Sequence, residues 1–246
     1  MPSLRQLLAE QAPLLLLDAA SARIQVGFLG TDPSGWRWQC SAEESGVGLF
    51  ECLEALQVNP LEAKGFLFCE GPGSILGIRS VASALRAWQV VSPAPIWSYR
   101  SLDLVLHTLP DPAARVIADA RRDAWHLSTR GQPMRRTPSA ELLNSEGLHT
   151  PAHFRQWTKL PPGIVPATAS YELSELLPRL LDNDLFMPAQ EPDAFLHEEP
   201  SYATWTPQIH RAPDSAARPN QPSEAPQERR TGPSPLSRPN QPCNAP

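Results

Sequence analysis

The hydrophobic pattern changes period several times along the first hundred residues. Leu14 to Leu17 is an unbroken apolar run closed by Asp18. It predicts a strand buried on both faces. Arg23 to Gly30 alternates Ile24, Val26 and Phe28 with Arg23, Gln25 and Gly27, which predicts a second strand joined to the first as a hairpin. Trp36 to Cys40 predicts a third. Ser3 to Gln11 places Leu4, Leu7 and Leu8 on one side of a short helix. Gly48 to Val58 sets Leu49, Phe50, Leu53, Leu56 and Val58 against Glu51 and Glu54, a helix stopped by Asn59-Pro60.

The most informative stretch is Gly65 to Gln89. Phe66 to Cys69 suits a buried strand. Glu70-Gly71-Pro72-Gly73 interrupts it, because neither glycine nor proline sits easily inside a helix or strand. Ser74 is a suitable N-cap for a helix carrying Ile75, Ile78, Val81, Ala82, Leu85 and Trp88 on one side. A second set, Gly77, Ser80, Ala84 and Ala87, is small throughout. It reads either as a close-approach face for another helix or as ordinary filler of a solvated face. Pro95 to Tyr99 predicts a fifth strand, and Ser101 a cap for Leu102 to Leu109.

The first hundred residues thus read β-β-β-α-β-α-β, a mixed sheet with helices. The order resembles the ribonuclease-H-like core of actin-like proteins, which comes as two related halves. Residues 1–100 are the first lobe, and 101–199 a second, degenerate one. There, Arg115 to Ala120 and Ala124 to Thr129 predict strands, with a third segment around Met134. The pattern then weakens through His149 to Thr168 and returns as a helix at Tyr171 to Leu181, interrupted by Pro178. Leu185-Phe186 and Phe195-Leu196 read as apolar anchors. Residues 200–246 turn to Pro, Ser, Gln, Asn and Arg, with Arg218-Pro219-Asn220-Gln221-Pro222 repeated at 238–242. Such composition predicts a disordered tail.

Composition narrows the function classes. Twenty-one basic residues face 26 acidic ones, and no run of Lys or Arg forms a stripe. Strong nucleic-acid binding by the chain alone is not expected. Cys40, Cys52, Cys69 and Cys243 lack metal spacing; three sit in apolar surroundings, as reduced buried thiols of a cytoplasmic protein do. Glu10 and Asp18 break the N-terminal segment, so no secretory signal is predicted, and no stretch is long enough for a membrane span.

The chemistry is sparse. Gly71, Gly73 and Ser74, with Arg79 one helical turn on, form a weak candidate anion site, since backbone N–H groups converge at such a turn. The alternative is a tight strand-to-helix turn; no Gly-Lys-Ser/Thr follows, and the spacing is not a dinucleotide fingerprint. Asp18 stands where an actin-fold phosphotransferase holds a metal–nucleotide, but Ala19 and Ala20 supply no hydroxyl. The six histidines show no metal spacing and no triad is spaced for catalysis. Arg121-Arg122-Asp123 reads as a solvated hairpin turn.

These residues carry a family resemblance. EGPGSILGIRSVASAL resembles the glycine motif of the TsaB-type subunit of the bacterial tRNA threonylcarbamoyladenosine machinery. IADARRDAWHL resembles its DARR hairpin, LLLLDAAS its first strand, RSLDLVLHTL a helix and PDAFLH a late element. The resemblance spans Leu14 to Tyr202 and is firmest over Gly65 to Thr129. It implies a two-lobed actin-like fold and a non-catalytic accessory subunit without a cofactor. Such subunits pair through first-lobe helices with a large TsaD-type subunit, which transfers threonylcarbamoyl to an adenosine beside the anticodon. A TsaE-type ATPase joins the pair, and tRNA is met only through the complex. Carried over, the contact helices are Gly48–Val58 and Ser74–Gln89, with Phe50, Leu53, Leu76, Gly77, Ser80, Ala84 and Ala87 at the interface. Self-pairing is open when the partner is missing. A hydrolase, peptidase-like or ATPase protein of the same fold is the alternative.

Overall fold

The computed structural model describes residues 1–195. The repeated proline tail, Cys243, His197, His210 and the end of the PDAFLH segment lie outside them.

Two mixed sheets carry the chain. The first is built from β1 (Leu14–Asp18), β2 (Ile24–Leu29), β3 (Arg37–Ser41), β4 (Gly65–Gly71) and β5 (Ile96–Arg100). Their order from one edge is β3-β2-β1-β4-β5. β2 and β3 run antiparallel to β1, whereas β4 and β5 run parallel to it. Leu14 to Asp18 are all buried, as expected of a central strand covered on both faces. The second sheet uses β6 (Arg115–Asp119), β7 (Ala124–Thr129), β8 (Gln132–Pro138), β9 (Leu148–Pro151) and β10 (Ala167–Ala169). Its order, β8-β7-β6-β9-β10, repeats that of the first. Three antiparallel strands followed by parallel ones, twice over, is the two-lobed ribonuclease-H-like arrangement read from the sequence. β9 and β10 were not legible, because they are short and lie in the proline-rich stretch. A last strand, β11 (Met187–Pro188), returns to pair antiparallel with β5 at the edge of the first sheet.

Helices close the layers. α1 (Leu4–Gln11) is held by a full capping box, in which Ser3 and Gln6 satisfy each other's backbone N–H groups. α2 (Ser45–Leu56) packs on β2 and β3; α3 (Ile75–Val91) packs beside it on β1 and β4. α4 (Ser101–Thr108) touches β4 and β5 of the first sheet and β6 and β7 of the second. Ser101 is the first residue of α4 rather than its cap: its hydroxyl is turned back to donate to the Pro72 carbonyl, 2.6 Å away. The helix expected over Tyr171 to Leu181 shrinks to α5 (Leu173–Leu176), followed by one 3-10 turn that holds Pro178. Ile75, expected in the core, is half exposed at the first turn of α3. Cys52 and Cys69 are buried, but Cys40 is exposed, because edge strand β3 turns that side to solvent.

Two close contacts decide how α3 sits. A Cβ on Gly77 would lie 2.1 Å from the Ala19 carbonyl oxygen, and one on Gly73 would lie 2.3 Å from that of Ala20. Both obstacles are backbone, so neither can swing aside. The start of α3 therefore lies directly on the loop that leaves β1. We expect Gly77→Ala to lower stability by about 1–3 kcal/mol, the usual range for forced overpacking. Ser83→Ala, on the exposed side of the same helix, should stay within about 0.5 kcal/mol. Urea unfolding of both variants measures the contrast.

Candidate functional site

β1, β4 and β5 are parallel, so their carboxyl ends meet. In open α/β sheets that is where ligands bind. Asp18, Glu70, Gly71, Tyr99 and Arg100 gather there, and the chain fills the place itself. Asp18 has no exposure to solvent. The phenols of Tyr99 and Tyr171 each donate to its Oδ2 at 2.7 Å, and the Ala20 amide donates to Oδ1 at 2.9 Å. Tyr171 reaches it from the second half of the chain, with its hydroxyl 3.7 Å from the Cys69 sulfur. Burial raises the Asp18 carboxyl above its usual range, against the pull of the three donors. Burial also pushes the Tyr99 and Tyr171 phenols and the Cys69 thiol well up.

The rim is closed in the same way. Glu70 accepts from the Ser98 hydroxyl at 2.7 Å and from Arg100 at 3.1 Å. The Phe195 amide donates to the Glu70 carbonyl, and the Arg100 guanidinium lies over the Phe195 ring, 4.5 Å from its centre. The glycine turn is spent inward: the Ser74 amide donates to Ala20 at 2.7 Å, and the Gly77 amide to the Ser74 hydroxyl at 3.3 Å. Gly71, at φ +126°, adopts a backbone that only glycine tolerates easily. Arg79 does not face the turn; with Arg86 it reaches Asp193, at 3.5 and 3.7 Å. Among the described residues no group of three or more His, Cys, Asp or Glu side chains is arranged for a metal ion.

The open surface lies on the helices. At 100° per residue, Leu76, Ser80, Ala84, Ala87 and Val91 fall along one flank of α3, while Arg79 and Arg86 occupy the other. The first flank borders α2: the Ser45 and Ser80 hydroxyls are 3.0 Å apart. On α2, Gly48 packs on Ile24 and Ser41, which leaves Gly46, Phe50 and Leu53 on the side toward α3. Phe50 is 54% exposed and Leu76 76% exposed, with Val47, Val90 and Val91 also open. Of the seven interface residues named from the sequence, Leu53 and Gly77 are buried in this chain's own core. Phe50, Leu76 and Ala87 are exposed, and Ser80 and Ala84 are half-buried beside them.

No protein-family model matches the chain, and no curated protein matches it. Among solved structures it is similar to the crystal structure of an uncharacterized protein with similarity to peptidase YeaZ from Pseudomonas aeruginosa. The identity is 16% and the TM-score 0.49, over 75% of this chain and 99% of that one. It is also similar to YeaZ from Pseudomonas aeruginosa, at 18% identity and a TM-score of 0.43, over 68% and 89% of the two chains.

The buried carboxyl has a pH signature. Its folded pKa is raised, so the folded state holds the proton more tightly than the unfolded chain does. The contribution of Asp18 to stability should fall as pH rises from about 3.9, the unfolded value, up to the raised folded value, and then level off. Asp18→Asn lacks that proton, so its difference from the natural chain should be largest at the acid end of this window. Tyr171→Phe should cost about 1–3 kcal/mol by removing a hydrogen-bond partner from the buried Asp18 carboxyl group. Denaturant titrations of the three chains across this pH range test both expectations.

Proposed function

We propose that this chain is a non-catalytic subunit whose work is to pair helices with a larger protein of related fold. The observation that carries the reading is the α2–α3 flank, where exposed Phe50 and Leu76 stand beside the small residues Ser80, Ala84 and Ala87. Small side chains let a partner helix approach closely, and flanking apolar ones supply area removed from water. The charges of α3 are drawn to the other flank by Asp193. The closed crevice supports the same reading: its carboxylate, its glycine turn and its rim are all engaged within the chain.

The sequence resemblance supplies the identity of the partner. The large TsaD-type subunit is the protein to be covered, with a TsaE-type ATPase joining the pair. The reaction served is threonylcarbamoyl transfer to the adenosine beside the anticodon of tRNA. Pairing of two copies of this chain is the fallback when that subunit is absent. For the described residues, no helix is long and apolar enough to cross a membrane.

Co-expression with the TsaD-type subunit from the same source should yield a co-eluting pair. Ala84→Arg and Leu76→Glu each place an unpaired charge in the contact. Each should weaken pairing by on the order of 100-fold, about 3 kcal/mol. The circular dichroism of Leu76→Glu should be unchanged, since Leu76 is solvent-facing. Co-elution of either variant at natural affinity sinks the reading, as does a natural chain that never pairs.

A further inference from the structure

The hairpin between β6 and β7 has a tip unlike an ordinary solvated turn. Arg121, Arg122 and Asp123 have φ of 61°, 53° and 56°, three consecutive residues in a region that side chains other than glycine seldom adopt. Glycine or asparagine would relieve the turn, yet two arginines stand there. The turn is held in shape from several sides. Asp119 accepts from the Arg121 amide at 2.6 Å, and from the Thr158 amide and hydroxyl at 2.6 and 3.0 Å. Burial works against its charge, but the donors from Thr158, Arg121 and Trp157 outweigh it and keep the carboxyl below its usual range. Arg136 donates to the Arg121 carbonyl at 3.1 Å. Strain maintained by this many contacts points to a use for the shape.

Asp119 also ties residues 155–159 against the tip. The Arg121 guanidinium carbon lies over the Trp157 ring, 3.7 Å from its centre, and Trp157 is still 43% exposed. Arg155 and Lys159 flank Trp157 by two residues on either side, and both are exposed. Arg122, Arg155 and Lys159 have no ion-pair partner among the described residues, whereas Arg135 is neutralised by Glu141 at 3.1 Å. Asp123 is the one exposed carboxylate in the tip itself. Residues 115–160 hold eight Arg and Lys against four Asp and Glu, in a chain whose net charge is −5. The sequence hides this concentration, because the hairpin and the 155–159 segment are more than thirty positions apart.

We propose that the β6–β7 tip and residues 155–159 together bind a single-stranded nucleic acid. An unpaired base stacks on the Arg121–Trp157 pile, and the flanking phosphates meet Arg122, Arg155 and Lys159. Unstacked bases on aromatic rings or guanidinium planes, with cations tracking the backbone, are the chemistry of single-strand recognition. An all-carboxylate chain such as polyglutamate offers charge but no ring to stack. The inference does not depend on helix pairing: a chain that pairs with nothing can still hold the strand.

Fluorescence anisotropy with a labelled twelve-nucleotide RNA of mixed sequence and the full chain tests it. Binding should be measurable at low salt and weaken roughly twentyfold from 50 to 200 mM salt, about what three phosphate contacts give on a single strand. Trp157→Ala should weaken it about tenfold or more, and Trp157→Phe should retain most of it. If Trp157→Ala does not fold, the exposed triple variant R122E/R155E/K159E, which loses no internal ion pair, should still fold and lose binding. The same sequence as DNA identifies the source, since tighter RNA binding assigns the strand to RNA and equal binding to single strands at large. Equal competition by a fully paired duplex or by polyglutamate overturns the proposal. So does an affinity that neither variant changes, or no binding at low salt.

Discussion

A carboxylate without access to water needs partners, and Asp18 takes them from three parts of the chain: its own loop, β5 and the segment ahead of α5. This knot couples the two halves of the sequence. Remove it and the end of β1, the glycine turn and Tyr171 lose their common anchor. It also decides chemistry. A carboxyl raised by burial and wrapped by two phenols is not placed to hold a metal–nucleotide. The place where this kind of sheet offers a ligand crevice has become core.

The closure has a consequence for α3. With Gly73 and Gly77 against the carbonyls of Ala20 and Ala19, the helix is lowered onto the β1 loop and its rotation is fixed. That rotation buries Ile78, Val81 and Leu85 and turns Leu76, Ala84 and Ala87 toward α2 and solvent. Small residues therefore stand on both sides of the helix: inside, glycine permits a backbone contact; outside, alanine and serine leave a low surface between Leu76 and Val91. The crevice's loss and the helix face's exposure are one arrangement seen from two sides.

The second half reuses the strand order of the first for a different surface. Its hairpin and the 155–159 segment bring arginines and a lysine together on one surface, and Asp119 performs there the organising task that Asp18 performs in the first. One carboxylate is sealed from water and closes a site; the other is partly exposed and holds a strained tip open to it.

Local pattern determined much of this protein. The central run Leu14–Leu17, the alternation of β2, the cap at Ser74 and the stop at Asn59-Pro60 each follow from backbone and side-chain preferences over a few residues. So the β-β-β-α-β-α-β order and the fold class were readable, and so was the small-residue stripe of α3. What was not readable depended on distant partners. No spacing says that Tyr99 and Tyr171 would meet at Asp18, that Gly77 would face a carbonyl rather than a partner helix, or that Arg79 would turn to Asp193. β9 and β10 lie in a proline-rich stretch without period, and they exist as strands because neighbouring strands supply their hydrogen bonds. Sequence encodes what a residue does to its own few neighbours; which loop comes to lie on it, and so which sites stay open, is decided only when the sheets and helices close around one another.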